Sequence, residues 1–231
     1  MGDYGDLIMP SDPRWSFTGH DWKNLGFSNG RPNVDNLGDE HRQMIARELD
    51  PIASKCVGIL EGNHERMMSK HYFVDIARFL AHRFNAPFLG YTALLRLEIQ
   101  SKRGPKDHGR VWNVTVFAEH GATGGGSDGN SLNKLQTRGN EFRADLFLKG
   151  HVHKLGISQR TELGWGQKRL ATRDRVFVLT GTYLKGYSEF ETTYGEYKAY
   201  PPNEIGGAVV ILDPKSQRIH AVTTDALMAA A

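Results

Sequence analysis

Short apolar runs that stop on glycine and polar residues recur along this chain. Cys56-Val57-Gly58-Ile59-Leu60 leads into Glu61 and Gly62-Asn63-His64-Glu65, Val114-Thr115-Val116-Phe117-Ala118 into Glu119 and His120-Gly121, and Leu146-Phe147-Leu148 into Lys149 and Gly150-His151-Val152-His153. Runs of this length predict buried strands, over 56–61, 111–119 and 145–149, that deliver their last residues to one edge of a sheet. Further strands are predicted over 92–100, 154–161, 175–180, 207–212 and 217–223. A helix is expected from a cap at Asn36 to about Leu49, with Met44, Ile45 and Leu49 on one side and Pro51 after it. Others run from about Arg66 into Met68, through Val74–Leu80, and near 130–140. Residues 10–35, rich in Pro, Gly, Asn and Asp and carrying Trp15, Phe17, Trp22 and Phe27, predict an ordered loop, and Lys102-Arg103-Gly104-Pro105-Lys106 a basic turn. The mixture fits an α/β fold of two packed sheets flanked by helices, in one domain over 1–231.

Composition changes this picture little. The 231 residues are enough for a real core, and 29 Lys and Arg against 26 Asp and Glu leave a net charge of +3. That excess is compatible with a phosphate-bearing substrate without arguing for one. A single cysteine, Cys56, excludes an internal disulfide and fits a reducing compartment. There is no run of 18 apolar residues and no charged-then-apolar leader, so the expectation is a cytoplasmic protein without a membrane partner. Oligomeric state is not legible.

The chemistry sits where the apolar runs end. Strand ends at one edge of an open α/β sheet are where such folds carry ligands. Gly62, Gly121 and Gly150 let the backbone turn tightly and let a ligand approach. His151 and His153 are two apart, so an extended backbone points both to the same side. Oxygen and imidazole donors together suit Mn, Zn or Fe(II). Each residue also has a bland explanation. Asn63 alone is a turn residue, His120 alone a strand-terminal core histidine, and His151 with His153 a surface pair.

Taken in order, these motifs resemble the calcineurin-like metallophosphoesterase family, whose pattern is D-x-H, G-D, G-N-H-E or G-N-H-D, H, and G-H-x-H. Gly2-Asp3 looks like the second motif, residues 62–65 the third, His120 the fourth and residues 150–153 the fifth. The resemblance covers roughly residues 2–213 and implies a four-layer α/β/β/α sandwich of two mixed sheets. The opening D-x-H would stand before Gly2. Its absence here implies an N-terminally incomplete sequence with the first strand missing. The alternative is a natural one-metal or non-catalytic variant, with Asp3 on a frayed terminus.

The resemblance implies a metal-dependent phosphoesterase, with phosphodiesters favoured over monoesters. A metal pair about 3.5–4 Å apart makes a bound hydroxide and clamps the phosphoryl oxygens. By the same resemblance Asp3 bridges two divalent ions (Mn, Fe, Zn or Ni), and Asn63, His120 and His151 bind one of them. His153 with Asp3 binds the other, whose site is left incomplete. His64 would stand beside the leaving-group oxygen as proton donor, since an imidazole titrates near neutral pH. Glu65 would orient His64 or start the following helix.

Other residues stay open. Asp6 is a supporting residue or a helix cap, and Arg14 meets substrate phosphate or pairs with Asp12. Gly124-Gly125-Gly126 lacks the Gly-Lys-Ser/Thr ending of a phosphate loop and reads as a plain turn or a flexible lip. The tyrosines at 183, 187, 194, 197 and 200, with Lys185 and Lys198, either stack bases or pack a β-rich rim, and packing is the expectation. His20, His41, His71, His82, His108 and His220 match no motif. Within the phosphodiesterases a DNA-processing nuclease acting on nucleic acid or nucleotide is one form, and short chains of this type resemble phage or prophage members. Against the enzyme stands a non-catalytic binding or scaffold protein that keeps the fold and one metal.

Overall fold

The apolar runs do form strands, and their pairing explains why they are apolar. The computed structural model describes residues 1–12, 14–15, 25, 27–28, 31–101, 110–122, 128–166, 168–187, 189, 193–197 and 199–229. The triple glycine, the basic turn, Phe17, Trp22, His20, His108 and Lys198 lie outside the described residues. The chain divides into two units, Met1–Tyr91 and Thr92–Ala231. Together they are α/β, with helices and a mixed sheet.

The first unit holds a short antiparallel pair, β1 (Phe27–Ser28) and β2 (Arg31–Pro32), and then α1 (Leu37–Leu49). β3 (Ile59–Leu60) follows, then α2 (Asn63–Tyr72), α3 (Ile76–Arg83) and β4 (Phe88–Gly90). The helices close on one core in which Leu7, Leu37, Ile45, Met68, Ile76 and Leu80 are buried, with Met44, Leu49 and Trp15 packed against it. The predicted side of α1 is therefore its core side. Asn36 does not cap that helix through its side chain. A 3₁₀ turn over Val34–Asn36 feeds straight into it, so the chain enters α1 already coiled. Asp75 does cap α3, accepting the Arg78 N–H at 2.9 Å. The strand predicted over 56–61 contracts to two residues. A 3₁₀ turn over Asp50–Lys55 ends at Cys56, and Ile59 and Leu60 pair parallel to β4, with the Glu61 N–H adding a bond to the Gly90 carbonyl.

The second unit is built on a seven-stranded mixed sheet. Its elements are β5 (Thr92–Ser101), β6 (Arg110–Glu119), α4 (Asp128–Glu141), β7 (Leu146–Lys149), β8 (Leu155–Trp165) and β9 (Leu170–Thr182). A turn of helix, α5 (Tyr194–Tyr197), precedes β10 (Gly206–Asp213), β11 (Arg218–Thr223) and α6 (Thr224–Ala229). β6, β7 and β9 run parallel to one another, and β5 and β8 pair antiparallel with β6 and β9. The crossover from β6 to β7 passes through α4, the usual way to join parallel neighbours.

One row of side chains fixes the register of the parallel strands. Phe117, Phe147 and Phe177 stand directly opposite one another on β6, β7 and β9. All three are buried, with ring centroids 5.6 Å apart between the first two and 4.7 Å between the last two. Leu135 of α4 packs on this face, while Val114, Val116, Leu146, Val176, Val178 and Ile219 form a second core. A slip of one residue would turn these phenylalanines to the other face, so burial specifies the pairing strongly. α4 comes close because residue 139 is glycine, where a Cβ would stand 3.2 Å from the Phe177 ring.

Replacing the central ring tests the row. Phe147→Ala should cost about 3–5 kcal/mol by urea unfolding, whereas Phe147→Leu should cost less than about 1.5 kcal/mol. Equal losses would mean that the rings do not set the packing.

Candidate functional site

In the first unit, the Gly-Asn-His-Glu motif is a helix start, not a free turn. β3 ends at Leu60, Gly62 is the residue before α2, and Asn63, His64 and Glu65 form the first turn. Glu65 is buried and folds back, accepting the Gly62 N–H at 2.8 Å and the Asp3 and Tyr4 N–H groups at 2.8 Å each. Burial pushes its carboxyl above the usual carboxylate range, and these three donors oppose that shift. Of the two roles expected for Glu65, the structure gives it the helix start.

Asp3 is tied down, unlike the frayed terminus that the natural-variant alternative implies. Its Oδ1 accepts the His64 backbone N–H at 3.1 Å, at the end of α2 where the helix dipole favours an anion. Its backbone sits at φ 52°, in the left-handed region that aspartate visits at a cost. Gly62 makes the approach possible. A Cβ there would lie 2.2 Å from Asp3 Oδ1 and 2.3 Å from Asp3 N.

The His64 ring is held from the other side. Its Nδ1 lies 2.8 Å from the Asp6 carbonyl oxygen, which accepts when Nδ1 carries a proton, and 3.9 Å from the Asp6 carboxylate. Arg14 takes the internal of its two expected roles. Its Nη2 and Nε donate to the Asp12 carboxylate at 2.7 and 3.0 Å, and Asp6 lies 3.7 Å from Nη1. That fork holds the Asp12 carboxyl below the usual range, its hydrogen bond to Arg14 being the largest cause.

In the second unit the parallel pairing of β6 and β7 does the positioning. Glu119 stands opposite Lys149, so His120 and Gly150-His151 leave the sheet at adjacent strand ends. His120 is only 1% exposed, and its Nε2 lies 3.2 Å from His151 Nδ1, with the rings edge to face. The extended backbone expected across His151-Val152-His153 is not what forms. His151 (φ 65°) and His153 (φ 52°) are both left-handed, because Gly150 starts a tight turn in which Val152 N–H reaches the Gly150 carbonyl. Val152 is buried under that turn. His153 does not join the other two histidines within 4.8 Å. Three of the expected ligands, Asp3, His151 and His153, thus share strained backbone, which accumulates at functional sites.

Sequence reasoning missed the charges under this pair. The buried Glu119 carboxylate lies 3.2 Å from Lys149 Nζ and 3.3 Å from Arg138 Nε. The Lys149 chain lies against Gly121, where a Cβ would come within 2.8 Å of its Cε and where φ is 92°. Glu119 directly precedes His120 and Lys149 precedes Gly150, and a charge ending an otherwise apolar run was the available signal; Arg138, inside α4, gave none. The tyrosine-rich stretch does not pack as expected. Tyr183, Tyr187 and Tyr200 are exposed, and the Tyr187 hydroxyl donates to the Tyr200 carbonyl at 2.5 Å. A Cβ at Gly207 of β10 would stand 3.3 Å from the Tyr183 hydroxyl. The side chains of Tyr194 and Tyr197 lie outside the described residues.

Compared with known proteins, the chain matches no family model, no curated protein and no solved structure. No helix among the described residues is long and apolar enough to cross a membrane.

The buried pair generates a stability test. Lys149→Met leaves the Glu119 carboxylate without its nearer cation and should cost about 3–5 kcal/mol, while Lys149→Met with Glu119→Leu should recover most of that loss. Additive losses in the double variant, read by thermal unfolding, would contradict the pairing.

Proposed function

We propose that the chain is a metal-dependent phosphoesterase of the calcineurin-like metallophosphoesterase type, acting on phosphodiesters in preference to monoesters. The observation that carries this reading is the His120–His151 pair. Two nitrogens bound at about 2.0–2.1 Å to a common tetrahedral ion stand about 3.3 Å apart. The 3.2 Å seen between Nε2 and Nδ1 fits that edge. The resemblance adds Asp3, whose carboxylate oxygen is of the kind a divalent ion takes beside imidazoles. In this reading His120 and His151 share an ion, and the resemblance would add Asp3 and Asn63 to it and give His153 with Asp3 a second.

When bound, the metal pair supplies a hydroxide nucleophile at neutral pH and neutralises the phosphoryl oxygens. The chain's own residues do the rest. The Asp6 carbonyl, 2.8 Å from His64 Nδ1, supports the tautomer with a proton on Nδ1, and in this reading Nε2 would serve the leaving-group oxygen. A proton delivered there matters most for alkoxide leaving groups, which favours diesters. Glu65 and Gly62 hold Asp3 at the start of α2. Lys149 and Glu119 fix the two strand ends that carry the histidines. The same reading implies the four-layer α/β/β/α sandwich of two mixed sheets and a cytoplasmic setting. A nuclease is its nucleic-acid form.

A second reading has an observation of its own. Asp3 caps α2, and the two histidines satisfy one another by a hydrogen bond, so all three have partners without any ion. That is what a one-metal or non-catalytic scaffold would keep.

Hydrolysis of bis(4-nitrophenyl) phosphate with Mn²⁺, together with Co²⁺ binding followed by visible absorption, separates the two. His151→Ala should lower Co²⁺ affinity and kcat/KM by at least about 100-fold. His64→Ala should keep the affinity but lower kcat by about 10²–10⁴-fold. Co²⁺ binding without turnover in the starting protein supports the scaffold, and turnover that survives His151→Ala removes the metal assignment.

A further inference from the structure

The β8–β9 hairpin continues well past the sheet that anchors it. Its pairing is unbroken from Leu155↔Thr180 to Trp165↔Leu170, closed by a Gly166 N–H to Arg169 carbonyl bond of 2.8 Å. The inner segment of β9, Val176–Leu179, is buried, whereas every described residue from Gln159 to Asp174 is exposed. The prediction from sequence stopped this strand at residue 161; beyond it Leu163 and Trp165 alternate with Glu162 and Gly164, but no core covers them. What holds it is cross-strand pairing, including the Thr161 hydroxyl donating to Asp174 at 2.7 Å.

The two faces of this ribbon differ. The cross-strand pairs Trp165↔Leu170 and Leu163↔Thr172 share one face. There Trp165 is 82% exposed, Leu163 68% and Leu170 56%. The other face pairs Arg160 directly with Arg175 and Glu162 with Arg173. Both acids are engaged within the ribbon, Glu162 by Arg175 at 3.0 Å and Asp174 by Thr161. Arg173 is held by Asp145 at 2.7 Å. Arg160, Lys168 and Arg169 are exposed, and their cationic groups enter no ion pair among the described residues.

We propose that this ribbon is a docking arm for single-stranded nucleic acid, with Trp165 stacking on a base and Lys168 and Arg169, in the adjoining turn, contacting phosphates. An exposed indole with unpaired cations in the next turn is the combination that such strands use. Charge selects the occupant. A second copy of the ribbon would bring Arg160, Lys168 and Arg169 against their own equivalents, whereas a polyphosphate strand complements them. This surface lies outside the metal ligands proposed above, and its test needs no metal.

The test is fluorescence anisotropy of a labelled 20-nucleotide oligothymidylate, titrated with the full chain in EDTA at several salt concentrations. Saturable binding that weakens with salt is expected. Trp165→Ala should weaken it about 5- to 150-fold, and Trp165→Phe less. Lys168→Ala with Arg169→Ala should reduce the slope of log affinity against log salt by about 1.4. These side chains are exposed, so unchanged thermal unfolding is expected for all three variants. The proposal is overturned if no saturable binding occurs at 50 mM salt, or if the variants bind within twofold of the parent. It is equally overturned if Trp165→Ala instead abolishes self-association or binding to phosphatidylserine vesicles while oligonucleotide binding is absent.

Discussion

Everything proposed for the second unit depends on the register between two parallel strands. β6 and β7 are locked by the phenylalanine row at 117, 147 and 177, and that lock places Glu119 beside Lys149. One residue past Glu119 and two past Lys149, the lock becomes a pair of imidazoles in contact. A buried apolar row is a strong specifier because a slip of one residue inverts every side chain. The buried Glu119–Lys149 pair adds direction, since each charge is costly without the other. Packing sets the register, and electrostatics holds the strand ends where packing stops.

The first unit uses a different device for the same end. Glu65 gathers three backbone N–H groups, so the segment at Asp3 and Tyr4 is pinned to the start of α2. The missing side chain of Gly62 makes that possible, and its backbone there is an ordinary extended one. The result presents Asp3 and the His64 ring from a helix terminus whose dipole favours negative charge. Asp3, His151 and His153 all pay for left-handed backbone. Strain at the residues expected to carry chemistry is what a preorganised site would show.

Much of this was legible in the residues. The strands at β5, β6, β7, β10 and β11 and the helices α1 and α4 follow from period and punctuation, because each has an apolar face to bury. The ends of β6 and β7 were legible as a place for chemistry, since His120 and His151 follow directly on buried runs. The tight turn at Gly150 was not, because alternation of histidines reads as extended backbone unless the turn is known. The length of the β8–β9 ribbon was also missed: beyond residue 161 Leu163 and Trp165 alternate with Glu162 and Gly164, but no core covers them. For Glu65 the residues left two roles open, orienting His64 or starting the helix, and its hold on Asp3 is a contact across some sixty positions, which sequence spacing does not reveal.

The account turns on whether His120 and His151 are a ligand pair or only a hydrogen-bonded one. A crystal grown with Mn²⁺, with anomalous scattering measured at the metal edge, addresses this directly. The account predicts an anomalous peak bonded to both His120 Nε2 and His151 Nδ1. Density showing the two rings in direct hydrogen-bond contact with no peak between them, at millimolar Mn²⁺, would contradict it.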